Sequence, residues 1–296
     1  MAEEILSTIS LTYETIITLI VSKKIMTTEL KQYMQKNLRA VQLKELSILC
    51  TVTDICKRNG IEYWLDGGTM LGAVRHGGFI PWDDDVDICI RATDTERFVE
   101  VMSRKLPSNL LLQTKENAPA HLSTYMKVRD KNSFFVEFCD DFHQDYNKGI
   151  YIDVFPMTDY PDISRKMCRF ITKGFCKANG ILHKQHLYSW RSIAELLWFG
   201  AKRSLMRLLW NTVNVVCGKG TYYATLIENN GLGFMHRKDN IFPLGTIEFE
   251  GKTFSCPNNP DAYLTEQYGD YMQLPPEDKR QIHAVFYKEE LVYEEE

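Results

Sequence analysis

The run Asp83-Asp84-Asp85-Val86-Asp87 places four aspartates in five positions and leads into the apolar stretch Ile88-Cys89-Ile90. Read as a strand over 85–90, its side chains alternate faces, so Asp85 and Asp87 share one face while Val86 and Ile88 turn to the core. Two carboxylates held that close repel each other unless a cation lies between them or one keeps its proton. Their hard oxygens suit Mg²⁺, with Mn²⁺ as an alternative, and such an ion completes its shell with water and substrate phosphates. The chemistry this permits is transfer of a phosphorylated group, with the metal neutralising phosphate charge as the transition state forms. An acidic run taken at random is a solvated turn. Here Phe79-Ile80-Pro81-Trp82 precedes it and Ile88-Cys89-Ile90 follows, which puts the acids at the mouth of a buried strand. Asp83 and Asp84 are expected to play supporting or surface roles.

The elements that must position this pair can be read around it. A β-like run over 61–65 stops at Asp66-Gly67-Gly68, and Thr69, Met70 and Leu71 open a helix. Glycine tolerates positive φ and close backbone approach, and a helix N-terminus offers free N–H groups, so Gly67, Gly68 and Thr69 are candidates for holding phosphate. Asp66 would orient the turn. Arg75 and His76 end this helix, either touching donor or acceptor or simply compensating the helix dipole. A third acid, Asp153, stands alone in the apolar run Gly149-Ile-Tyr-Ile-Asp-Val-Phe-Pro156, where burial without a partner is costly. It would bind the metal or take the proton of an attacking hydroxyl. Lys127 and Arg129 alternate on an expected strand, either gripping a diphosphate or lying on an exposed strand face. Arg280 and His283 are three apart on a short helix expected after Pro275-Pro276, and so share a face that lines the site. Farther out, Val41, Ile48, Leu49, Val52, Ile55 and Cys56 predict a helix over 28–59, in one or two pieces. Thr93-Asp94 would cap a helix carrying Phe98, Val101 and Met102 inward, and 246–256 reads as a hairpin around Glu250-Gly251.

The long motif W-L-D-G-G-T-M-L-G-A-V-R-H-G-G-F-I-P-W-D-D-D-V-D-I at 64–88 resembles the signature of the LicD family, whose relatives include fukutin and fukutin-related protein. The resemblance continues through Met126-Lys-Val-Arg-Asp130 and the 149–156 run. It resumes at Phe242-Pro243-Leu244, Phe249-Glu250-Gly251, Tyr268-Gly-Asp-Tyr-Met272 and Leu274-Pro-Pro276, so it spans about 30 to 285. It implies an α/β (α+β) fold, a nucleotidyltransferase-like mixed sheet with N-terminal helices and a basic helical insertion. It further implies transfer of a phosphorylated small alcohol, phosphocholine first, from a CDP-alcohol such as CDP-choline to a sugar hydroxyl of a cell-surface glycan: teichoic acid, lipopolysaccharide or capsule. Carried onto this chain, it assigns metal binding to Asp85 and Asp87, supports Gly67 and Gly68 at the phosphates, and offers Asp153 as third acid. The clustered cysteines of the zinc-binding insertion seen in some eukaryotic relatives are missing, so structural zinc is not expected. Two other readings remain open from the residues: a nucleotidyltransferase that releases pyrophosphate, and a noncatalytic glycan- or nucleotide-binding protein. Intact Asp85, Asp87 and Asp153 argue against the second.

Composition bounds these readings. The chain has 296 residues, enough for one large domain, with 44% hydrophobic and 25% charged residues and a net charge of −4, which disfavours general nucleic-acid binding. A single catalytic domain over 1–296 is expected, with a basic helical subdomain at 163–220. The charge is uneven: that stretch holds 11 Lys/Arg against one acid, Glu195. With Trp190, Trp198 and Trp210 among its leucines, it is either a solvated helical subdomain or a surface for an anionic membrane or a lipid-linked polysaccharide. Eight scattered cysteines without a C-x-x-C pair point to reduced thiols in a cytoplasmic protein, stationed in one reading at the inner face of the membrane. Glu3 and Glu4 stand where a signal peptide would be basic, and polar residues interrupt the apolar stretch at 5–21, so neither a leader nor a membrane span is expected. The acidic tail at 294–296 reads as solvated.

Overall fold

A computed structural model describes residues 28–118, 125–137, 140, 146–184, 189–280 and 282–290. The expectations for Glu3, Glu4, the 5–21 stretch, Cys139 and the 294–296 tail fall outside these residues.

The helix expected at 28–59 forms in one piece, α1 (Thr28–Arg58). Met34, Leu38, Val41, Ile48, Leu49, Val52 and Ile55 fall along one face of the helix and are all buried, which gives it its inward stripe. It ends where Asn59 turns its side-chain amide back to the Ile55 carbonyl (2.7 Å) and Gly60 takes φ +62°. Then follow β1 (Tyr63–Leu65), α2 (Gly67–His76), β2 (Asp87–Arg91), α3 (Thr95–Lys105), β3 (Leu110–Gln113), β4 (Met126–Asp130), β5 (Phe134–Glu137) and β6 (Tyr151–Pro161). The basic stretch supplies α4 (Arg165–Leu182) and α5 (Trp190–Val216). The chain continues through β7 (Lys219–Thr225), β8 (His236–Arg237), α6 (Lys238–Ile241), β9 (Gly245–Phe249), β10 (Lys252–Cys256), α7 (Pro260–Tyr268) and β11 (Ala284–Lys288).

The fold is a mixed α/β sheet of order β1-β2-β6-β4-β3, with β7 added to β6 and β8 to β7. Among the described residues, β2 and β6 run parallel and the other pairs of this sheet are antiparallel. One core lies where α1, α2 and α3 meet the sheet, and a second joins α4 and α5 to Tyr160, Ala224 and Met235. The hairpin β9–β10 forms as expected, with Glu250 at its tip accepting from Phe79 N–H (3.0 Å) and pairing with Arg39 of α1 (2.6 Å).

Four sequence expectations change. Strand β2 begins at Asp87, so Asp85 lies in the loop before it and strand alternation does not govern its direction. Strand β6 does not stop at Pro156. Asp153 N–H points to β2, giving its hydrogen to the Val86 carbonyl (2.8 Å), so alternation turns position 156 to the opposite edge. On that edge β4 pairs through Val154 and β7 starts at Met157, so proline's missing N–H costs no ladder bond. Asp94 stands at the head of α3 without a side-chain cap, and Val101 is only half-buried, while Phe98 and Met102 are buried as expected. Finally, Arg280 and His283 share no helix. After the short turn Glu277–Lys279 the chain is extended, because the His283 and Ala284 N–H groups are given to Asp84 and the strand β11 follows, paired with β5.

Candidate active site

Sheet register assembles the site. Asp87 on β2 stands opposite Asp153 on β6, and Asp153 stands opposite Lys127 on β4. Residues in lateral register share a face, so two acids and a lysine form a row across three strands. Lys127 Nζ lies 3.1 Å from Asp153 Oδ1, 3.6 Å from Glu137 Oε2 and 3.3 Å above the Tyr151 ring. Thr69 fixes the row from the helix side, its Oγ accepting the Asp87 N–H at 2.8 Å.

The Gly67-Gly68 turn forms the floor. Gly67 has φ +54°, and a Cβ there would lie 2.4 Å from Asp87 Oδ2; at Gly68 it would lie 2.4 Å from Asp83 Oδ2. Both glycines therefore make room for carboxylates at the mouth of α2. Asp66 is held from two sides, accepting from the Tyr263 hydroxyl (2.6 Å) and the Cys89 thiol (3.1 Å). From beneath, Gln42 of α1 gives its amide to the Asp83 carbonyl (2.9 Å), and the buried Glu45 lies near enough to feel all four aspartates of the loop.

The electrostatics are those of crowded anions. Burial first, then the charges of Asp85, Asp153, Asp66 and Asp83, push the Asp87 carboxyl well above the carboxylate range. Burial raises Asp153 to about 6, against the pull of Lys127. Asp83 is raised to about 8 by burial, Asp85 and Asp84. Burial also raises Asp85, opposed by His283, and raises Glu45 well above its ordinary value. His283 itself is lifted to about 9, chiefly by its contact with Asp84 (3.2 Å). Carboxylates this crowded fit a hard divalent cation, and the buried Asp153 Oδ1 is met by the Lys127 ammonium alone among the contacts named above. On this donor set, Asp85 and Asp87 are the residues that would hold Mg²⁺, with Asp153 the third acid in register beside Asp87.

Asp84 does not belong to that set. Among the described residues, Asp83, Asp84 and His283 alone offer three ligand atoms within 4.8 Å of one another. Yet Asp84 is fully buried, and its two oxygens accept the N–H groups of His283 and Ala284, each at 2.8 Å. It is a strut tying β11 to the acidic loop, not a surface acid.

The basic candidates divide. Lys127 and Arg129 are both buried, which overturns the exposed strand face. Arg129 is spent internally on the Gly149 carbonyl (2.9 Å), Gln113 and the Tyr151 ring. Arg75, His76 and Arg280 gather at the Asp83 end. Arg75 donates to the Tyr271 carbonyl (2.9 Å), His76 meets Trp82 edge-on, and the Arg280 guanidinium lies 4.5 Å over Trp82. On the other side of Asp87 a cleft of about 200 Å³ opens, lined by Asp66, Gly67, Asp87, Asn230 and the aromatic Phe155, Phe234 and Tyr268.

Sequence reasoning passed over Glu45, Glu137, Trp82 and Tyr268. Glu45 had a signal: it sits four residues after Val41 and four before Leu49, on the inward stripe of α1, where an acid needs a reason. Glu137 had none, since its nearness to Lys127 depends on β5 folding back. We expect Lys127→Met to leave Asp153 and Glu137 facing each other uncompensated, costing about 3 kcal/mol at neutral pH in urea titrations. The cost should shrink at acid pH, where the carboxyls take up protons.

The site thus joins a mixed sheet with one parallel pair, carboxylates near the starts of those two strands, and a Gly-Gly turn opening a helix against them. The family model described as LicD/FKTN/FKRP, nucleotidyltransferase domain, matches residues 60–177, which include Gly67, Gly68, Asp85, Asp87, Lys127 and Asp153. The chain is similar to the lipopolysaccharide cholinephosphotransferase LicD of Haemophilus influenzae (strain ATCC 51907 / DSM 11121 / KW20 / Rd), 27% identical over 260 residues that cover 84% of this chain and 96% of the relative. It is also similar to the ribitol 5-phosphate transferases FKRP of Homo sapiens and Mus musculus, each 51% identical over 43 residues, 14% of this chain and 9% of the relative.

Proposed function

We propose that this protein is a phosphotransferase that moves phosphocholine from CDP-choline to a sugar hydroxyl of a cell-surface glycan. The observation that carries the reading is the row of half-buried Asp87 with buried Asp153 and Lys127 above the Gly67-Gly68 floor, with Asp85 beside it. Similarity to a cholinephosphotransferase over 96% of that relative's length supports the choice of group.

In this reading Asp85 and Asp87 would hold Mg²⁺, with Mn²⁺ as an alternative, and the bound ion would neutralise charge on the donor diphosphate. Asp153, raised to about 6, accepts the proton of the acceptor hydroxyl. Lys127 holds Asp153 in place and favours its ionised form. The acceptor oxygen bonds to the phosphorus that carries choline as the bond from that phosphorus to the CMP oxygen breaks. Arg75 and Arg280, at the Asp83 end, would meet the charge left on CMP. The cleft beside Asp87 suits the choline end, because the faces of Phe155, Phe234 and Tyr268 attract a quaternary ammonium. A lipid-linked acceptor met at the cytoplasmic face of a membrane is part of the same proposal.

The test is a panel of CDP-choline, CDP-ribitol, CDP-glycerol and CTP, each with Mg²⁺, read by CMP release and thermal shift. We expect CMP from CDP-choline. Pyrophosphate from CTP would instead make the protein a nucleotidyltransferase, and thermal shifts without any product would make it a binding protein.

A further inference from the structure

Helix α5 is apolar on two sides. Met206, Trp210 and Val213 face inward against Ile171 and Phe175 of α4, which satisfies one stripe. The opposite stripe is open: Trp190 is 87% exposed, Leu197 71%, Trp198 67%, Leu208 63% and Val215 85%. At 100° per residue these positions fall on one arc of roughly 100°, which runs the whole helix, about 40 Å, and carries no charged side chain. A surface helix ordinarily turns polar residues to water, so an apolar outer stripe of this length needs a cover.

Charge identifies the cover. Beside α5 runs a groove of about 430 Å³ lined by Lys166, Arg169, Lys173, Lys177, Lys202 and the exposed Phe170. None of these five cations pairs with an acid among the described residues, and the 163–220 stretch holds a single acid. Two copies meeting through this face would bring like charges together, whereas an anionic lipid surface offers both apolar depth and negative headgroups. Tryptophan, leucine and lysine on one exposed face are the composition of an interfacial helix. No helix among the described residues is long and apolar enough to cross a membrane.

We propose that the outer face of α5, with the basic flank of α4, docks the protein on an anionic lipid bilayer. This does not depend on which group the active site transfers, though it would bring that site to a lipid-carried acceptor.

The full chain should sediment with vesicles of equimolar phosphatidylcholine and phosphatidylglycerol at low salt, and its tryptophan emission should shift to the blue as Trp190 and Trp198 leave water. Pure phosphatidylcholine should bind it at least about tenfold more weakly, and high salt should release most of it. Two variants separate the apolar and charged parts. Leu197→Glu with Trp198→Glu changes only exposed positions, and Lys166→Glu with Arg169→Glu and Lys173→Glu reverses the flank. Each should lose about tenfold or more in vesicle affinity while keeping the wild-type melting temperature. Wild-type protein that ignores the phosphatidylglycerol vesicles at low salt would overturn the proposal, as would variants that bind like wild type. A dimer in light scattering that Leu197→Glu dissolves, without vesicle binding, would assign the face to a second copy instead.

Discussion

Asp87→Asn is expected to reduce turnover by a factor on the order of 10³ or more, and at the same time to raise the melting temperature of the metal-free protein. Both effects come from one cause. Asp87 is half-buried, and desolvation of its carboxyl together with the charges of Asp85, Asp153, Asp66 and Asp83 raises it well above the carboxylate range. A group whose folded-state pKa is raised binds its proton more tightly when folded. Its stabilising contribution is therefore complete below the unfolded value of about 4, and is lost as pH rises through the folded value. Asp153, at about 6, and Asp83, at about 8, act in the same direction, so metal-free protein should lose stability steadily from about pH 4 to beyond pH 8. His283, raised to about 9, adds to the loss at the alkaline end. Asparagine removes one ionisation from this set, so the advantage of Asp87→Asn should be small at pH 4 and grow towards pH 8. Each kcal/mol of relieved repulsion corresponds to roughly 3 °C in Tm for a chain of this size. Added Mg²⁺ or Mn²⁺ should raise the wild-type Tm at pH 8, do little at pH 4, and do little for the variant at either pH. Scanning fluorimetry with EDTA or metal at both pH values measures all of this. A variant that keeps its activity would remove Asp87 from the site, and a wild-type Tm that climbs from pH 5 to 8 in EDTA would contradict the crowded-anion account.

Asp84→Ala should unfold the protein more easily than any other single change in the acidic run, by about 3 kcal/mol or more in urea. The carboxylate is fully buried and is the acceptor for the N–H groups of His283 and Ala284. Alanine leaves both donors without a partner. The damage should travel. Ala284 begins β11, which pairs with β5; Ala284 stands opposite Glu137, and Glu137 reaches Lys127, the partner of Asp153. Hydrogen exchange should accelerate first at 283–288, and activity should fall although Asp84 is given no role with metal or substrate. Asp84→Asn keeps one acceptor oxygen and should cost about half as much. Equal loss of stability from Asp83→Ala would show that the strut has been assigned to the wrong residue.

Much of this site was legible along the chain because its parts are local. Short apolar runs at 86–90 and at 150–155 mark buried strands, and a Gly-Gly pair between a strand and a helix marks a turn that side chains cannot fill. The acids Asp85, Asp87 and Asp153 stand out because an acid beside valine and isoleucine is expensive unless it has a task. The inward stripes of α1 and the basic character of α4 and α5 are likewise repeats of a few residues, fixed by 3.6 residues per turn. Where the local signal was thin, the reading slipped: Arg280 and His283 looked like one helical face, yet this segment is drawn out straight by Asp84, 199 residues away from His283.

What only the tertiary structure decided is register and partnership. That Asp87, Asp153 and Lys127 form a row follows from how β2, β6 and β4 align, which no single strand's pattern specifies. Glycine's role shifted in the same way: Gly67 and Gly68 are small because the carboxylates of Asp87 and Asp83 rest above them. The sequence by itself determined which residues are chemically unusual, since that depends on neighbours a few positions away. Which of them meet, which are struts and which hold charge apart was set by contacts between segments far apart in the chain, because burial and the repulsion of close charges exist only once those segments pack.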